Sequence, residues 1–295
     1  MNPIGDSTTF MGTFDGQGHS ISGVYMTRTD VEYAALFARI DKGAAIKNLA
    51  VKDSYIQQTG NRNWAAGILG FSYGAEVSNL YSNAIVVSDG LQMGGVIARA
   101  EGTVDNCWFD GTLMCARATW VTKVGIGGVV GTTVKGSAAY DLTISNCLNT
   151  GKIIWNADTT EILGIGGIFG ATRRATPNIT IQNCINAGEI QTKGTNGIGS
   201  IVGLVNETGT KYTIKNCYAT TECGIEEFLG AVTASADGSA IETCIVVDSA
   251  DITGAALYTN EEISLDFDIW VARTNDVPAI KYFVAASDAV AKPTE

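Results

Sequence analysis

The sequence predicts an all-β fold: a right-handed parallel β-helix of about eight turns with a short C-terminal cap. Three observations predict it. Two short phrases alternate along nearly the whole chain, and residues inside the second phrase alternate with a period of two. No stretch holds an i, i+3, i+4, i+7 apolar pattern over ten residues.

One copy of the pair is Gly127-Gly128-Val129-Val130-Gly131 with Ile144-Ser145-Asn146-Cys147-Leu148-Asn149-Thr150-Gly151-Lys152-Ile153. The next is Gly166-Gly167-Ile168-Phe169-Gly170 with Ile181-Gln182-Asn183-Cys184-Ile185-Asn186-Ala187-Gly188-Glu189-Ile190. The first phrase also starts at Ala34, Ala66, Gly94, Gly199 and, more weakly, Leu229, at steps of 28 to 39 residues. The second is anchored by Asn48, Asn79, Asn106, Asn146, Asn183 and Asn216, with Thr243 in the last copy.

Taken in order, residues 10 to 26 read as two strands around a turn, with Asp15-Gly16 supplying the positive φ. His19, just after that turn, reads as a corner hydrogen-bond donor. The Gly-Gly phrase reads as a buried strand whose small residues allow close approach. Asn before Cys marks a bend, because Asn tolerates the left-handed region and its amide can bond the next copy's amide. After the bend, Cys147, Asn149, Gly151 and Ile153 share one face, which is predicted to be buried. Parallel stacking at about 4.8 Å per layer buries faces that no single repeat can bury, and right-handed crossovers set the hand. The aromatics of Phe267-Asp268-Ile269-Trp270 and Ile280-Lys281-Tyr282-Phe283 are expected to cover the last turn. The predicted division is one β-helix domain over 1–285 and a linker over 286–295.

Seven Cys invite a search for disulfides or zinc. Five of them, Cys107, Cys147, Cys184, Cys217 and Cys244, hold the same place in successive repeats, which predicts a buried, reduced stack. There is no Cys-x-x-Cys and a single His, so neither a metal nor a cofactor is expected. A net charge of −11 argues against a nucleic-acid groove and an anionic membrane surface. No apolar run reaches eighteen residues, so no membrane insertion is expected. The chain starts inside what reads as a repeat, and is expected to be a piece of something longer. It is expected to be a monomer.

Pro3-Ile4-Gly5, then Phe10-x-Gly12-Thr13-Phe14-Asp15-Gly16-Gln17-Gly18-His19-Ser20-Ile21, and the two recurring phrases resemble bacterial surface proteins with GLUG-type repeats. They also resemble the β-helical region of immunoglobulin-A-protease-like streptococcal surface proteins. The resemblance covers residues 3 to roughly 283. It implies an extracellular or cell-surface location in an adhesin-like chain, and carries no catalytic residues.

Pectin-degrading β-helix hydrolases share an Asn-Thr-Asp phrase, an Asp-Asp pair, Gly-His-Gly and Arg-Ile-Lys, none of which occurs here. Glycoside hydrolysis needs two carboxylates facing each other across a bond. Glu226-Glu227 and Glu261-Glu262 are sequence neighbours, so within a strand they would point to opposite faces. Asp158, Glu161, Glu222, Glu226, Lys123 and Lys193 fall in comparable loops too loosely to form a calcium-dependent lyase site. No catalytic residue is expected, and the chain reads as a non-catalytic module binding glycan or a host or neighbouring-cell protein. A polysaccharide lyase or hydrolase and a structural spacer are the alternatives. Trp64, Trp120 and Trp155 lie at the long loops on one edge of the coil. They are the expected ligand-binding residues, as flat apolar faces for sugar rings. Arg173-Arg174 is a local basic spot that could meet an acidic glycan.

Overall fold

The computed structural model describes residues 1–60, 64–116, 124–133, 140–157, 161–173, 176–235 and 237–293. It is a right-handed-type parallel β-solenoid of about seven turns, close to the expected eight. Three parallel sheets run along it, one of eighteen strands and two of six. Equivalent residues of the repeat stack in register: Gly127 on Gly166, Ile144 on Ile181, Leu148 on Ile185 and Ile153 on Ile190.

The Gly-Gly phrase differs from its expected form. It is a corner, with strands ending at Ala66, Gly94 and Gly127 and new ones starting at Leu69, Ile97 and Val130. Its second Gly faces a side chain from across the interior. A Cβ at Gly128 would stand 2.6 Å from Asn149 Cγ and would also strike the Gly167 carbonyl. The corner is glycine because the opposite column fills the space.

The Asn bend behaves as its sequence suggests. Asn48, Asn79, Asn106, Asn146, Asn183 and Asn216 all hold φ between 48° and 58°, and Gln17 at 52° and Thr243 at 49° continue the series at its ends. The positive φ of the first turn therefore falls on Gln17 and Gly18, whereas Asp15-Gly16 was the expected place. Thr13–Ser22 is one strand, with a register shift between Asp15 and His19. His19 is exposed there.

Beyond each bend the predicted face is buried: Cys147, Asn149 and Ile153 are each 0% exposed. Cys107, Cys147, Cys184 and Cys217 are buried, Cys244 is half-buried, and all are free thiols. Each S–H turns back on its own bend, as Cys147 does to the Ser145 carbonyl at 3.1 Å. Burial pushes the Cys147 and Cys217 thiols well above the ordinary range.

The C-terminal segment corrects two expectations. It lies along the flank of the coil instead of across its last turn. Leu257, Ile263, Leu265, Trp270 and Ile280 pack against Trp108, Leu148, Ile185, Tyr218 and Val247. Trp108, Leu148, Ile185 and Tyr218 each follow the Cys position, and with Val247 they point outward and form an apolar stripe that needs a cover. The Tyr218 hydroxyl accepts the Ser264 N–H at 2.8 Å, which ties the cover down. The supposed linker also contributes to this cover: Ala289–Val290 pairs antiparallel with Ala272 and Arg273. Its carbonyl at Val290 accepts the Tyr258 hydroxyl at 2.8 Å.

Candidate ligand-binding surface

The three expected Trp do not form one platform. Trp155 is 1% exposed, and its Nε1 donates to the Ala157 carbonyl at 2.9 Å. It ends the strand Lys152–Trp155, two residues after the core residue Ile153, so the same period of two points it inward. It cannot offer a ring face to a ligand. Trp120 lies outside the described residues, as does Arg174. The Arg173 backbone N–H donates to the Thr133 hydroxyl at 3.0 Å.

Trp64 belongs to a different assembly. It is half-buried on the strand Trp64–Ala66, in register with Tyr33. The chain then turns sharply at the Gly-Gly corner, and Phe71 and Tyr73 come out on the same side of Leu69–Ser82. The rings touch in sequence: Tyr33 to Trp64 at 5.1 Å, Trp64 to Phe71 at 6.2 Å, Phe71 to Tyr73 at 6.2 Å, and Tyr73 to Tyr140 at 5.1 Å between centroids. The corner must be tight for this. A Cβ at Gly70 would meet Tyr33 Cδ1 at 2.8 Å, so glycine there lets the first ring approach the backbone closely.

Cations interleave with the rings. Arg39, Phe71 and Arg99 occupy one register position on three successive strands. The Arg99 guanidinium stands 4.3 Å above the Trp64 ring and 5.5 Å from Phe71, and that of Arg39 is 5.9 Å from Phe71. Lys42 Nζ is 5.2 Å from the Tyr140 centroid. Such contacts hold the side chains against the rings. Burial first, then the neighbouring Glu32 carboxylate, pushes the Tyr33 phenol up to about 12.

Behind the belt lies Glu101, 1% exposed, its carboxylate approached by the Tyr140 backbone and the Thr176 side chain. Burial raises it to about 7, opposed by the Tyr140 backbone, the Thr176 side chain and Arg99. Among the described residues no group of three or more His, Cys, Asp or Glu could hold a metal.

The fold has a counterpart among solved structures. A crystal structure from Bacteroides ovatus, of a protein provisionally described as an immunoglobulin A1 protease, matches 91% of this chain and 77% of its own, with a TM-score of 0.55 and 18% identity. That likeness is one of fold. In sequence, a protein of Evansella cellulosilytica provisionally described as a Gly-rich membrane protein is 34% identical over 73 residues, 24% of this chain and 8% of the relative. The chain thus matches a small part of that relative. No family model matches, so the GLUG resemblance stays one of phrases, whereas the likeness to immunoglobulin-A-protease-like β-helices extends to the fold.

A second feature was not anticipated. Where the C-terminal turn 281–283 overhangs the first layers, Tyr81, Tyr282, Phe283, Lys52, Ser20 and Asn48 help to line a cleft of about 460 Å³. Trp108 at its back is held by Thr150, which accepts its Nε1 at 2.8 Å, and by Arg273, 5.3 Å from its ring. The available signal was the outward residue after each Cys position: Tyr81, Trp108, Leu148, Ile185, Tyr218. The belt's signal was fainter, since Tyr33, Phe71 and Tyr140 become neighbours only through the corner.

Proposed function

We propose that this chain is a non-catalytic, extracellular or cell-surface β-helix module that binds glycan, acting as a monomer. The observation that supports it is the run of five contacting rings from Tyr33 to Tyr140. Tyr33 is buried at one end, but the other four rings lie partly open along a rigid scaffold and offer apolar faces to the C–H faces of sugars without an ordering cost at binding. A stiff solenoid holds such rings at fixed spacing, as a polymer with its own repeat requires.

A glycan array with the wild-type chain and the Trp64→Ala and Phe71→Ala variants tests this reading. Wild type should bind at least one glycan class, and both variants should bind it more weakly. Absence of any glycan binding would sink the proposal. Shortening of a bound polysaccharide on prolonged incubation would replace it with the enzymatic alternative.

A further inference from the structure

We infer that the ligand of the ring belt is an acidic polysaccharide, one carrying carboxylate or sulfate groups, with its anionic groups at Arg39 and Lys42. The inference rests on the glycan-binding reading above and adds the charge of the ligand.

The distribution of charge favours it. The protein carries 19 basic against 30 acidic residues, yet three of its cations, Arg39, Lys42 and Arg99, sit against one run of rings. Arg39 and Lys42 are exposed, and neither forms an ion pair among the described residues. Two carboxylates are close in sequence. Glu32 is exposed beside Tyr33, and Asp41 accepts the Lys42 backbone N–H at 2.8 Å, leaving the ammonium over Tyr140. A neutral sugar can take from these two cations only hydrogen bonds to its hydroxyls. A guanidinium and an ammonium beside it give an anionic sugar charge-assisted hydrogen bonds in addition to stacking.

Arg39 and Arg99 flank Phe71 from the layers on either side, so this column carries a cation about every 10 Å, two layers of a parallel sheet. Exposed charges should also make the binding strongly sensitive to salt.

The test uses polygalacturonate, its fully methyl-esterified form, chondroitin sulfate and neutral xyloglucan, each in affinity electrophoresis and calorimetry with the chain as described. The ester keeps the polygalacturonate backbone and removes its charge; the two acidic polymers separate carboxylate from sulfate recognition. We expect at least one acidic polymer to bind, its methyl ester or neutral counterpart to bind roughly tenfold more weakly, and added salt to weaken the acidic complex. The double variant Arg39→Gln/Lys42→Gln should lose roughly tenfold for the acidic polymer alone. Trp64→Ala should lower binding as well, and circular dichroism shows whether each variant remains folded. Binding of neutral polymer equal to or tighter than acidic, with Trp64→Ala still sensitive, would overturn the acidic ligand and leave the glycan reading standing. An unchanged affinity in the folded double variant would also overturn it. Binding to no polymer in this set or on the array would overturn both.

Discussion

Asn146 donates its side-chain amide to the Asp105 carboxylate at 2.8 Å and so bypasses Asn106, its equivalent in the turn below. Elsewhere the bend forms the expected ladder: Asn79 to Asn48 at 2.8 Å, Asn183 to Asn146 at 3.3 Å and Asn216 to Asn183 at 3.4 Å. The column is thus two ladders. The break falls at Asn106, whose buried Oδ1 has no partner.

Unequal losses should follow from that break. Asn146→Ala should cost roughly 1–3 kcal/mol, because the bonds to Asp105 and from Asn183 both disappear. Asn106→Gly, which keeps the left-handed backbone and gives up no Oδ1 bond, should cost less than Asn146→Gly. Urea unfolding of the three proteins measures the order, and equal costs for the two glycine variants would argue against two ladders.

The buried carboxylate gives a pH dependence with a definite sign. Glu101 has a folded value of about 7 against 4.5 for the free side chain. Folding therefore favours its protonated form. The penalty for burying the charge is absent below about 4.5, grows as pH rises, and is complete above about 7, where it approaches roughly 3 kcal/mol. Glu101→Gln should gain stability over wild type as pH rises from 4.5 to 8. A difference between the two that stays flat across that range would show that the carboxylate is solvated.

Thiol chemistry follows from the stack. In the native protein, Cys107, Cys147, Cys184 and Cys217 should resist an alkylating reagent, and the half-buried Cys244 should react before them. Under denaturing, non-reducing conditions all seven thiols should alkylate. Mass spectrometry of the two samples checks both statements, and any disulfide-linked pair would contradict the stack.

The repeat dictated the solenoid, its bend and its Cys column, because each feature is local and recurs in register. The corner was harder to read. Gly-Gly reads equally as a close-packed strand or as a turn, and what decides is Asn149 reaching Gly128 from the far side of the interior. The flank cover was hidden for a related reason. Tyr81, Trp108 and Tyr218 alternate out of the core, where an apolar residue looks like a solvent-facing exception until its partner is known. Trp155 was legible and misplaced, since counting by twos from Ile153 puts it inside. Trp64 is harder to read, since its partners Phe71, Arg99 and Tyr33 come from both sides of a corner and three different turns.

The cover should be needed for solubility. Trp270 is wholly buried within it, so Trp270→Ala should cost about 3–5 kcal/mol by leaving a cavity. It should also raise binding of a hydrophobic dye as the stripe from Trp108 to Val247 becomes accessible. Unchanged dye binding together with an unchanged unfolding midpoint would mean that the stripe is covered by something else.

The most direct measurement on the ring belt is a calorimetric titration of wild type and Phe71→Ala with an oligosaccharide of the class that wild type retains. Phe71 touches Trp64, Tyr73, Arg39 and Arg99, and is half-exposed, so its loss should disrupt the belt more than the core. The expected result is a loss of roughly tenfold or more in affinity, with thermal unfolding close to wild type. Wild-type affinity in a folded Phe71→Ala protein would place the sugar site elsewhere and contradict the belt.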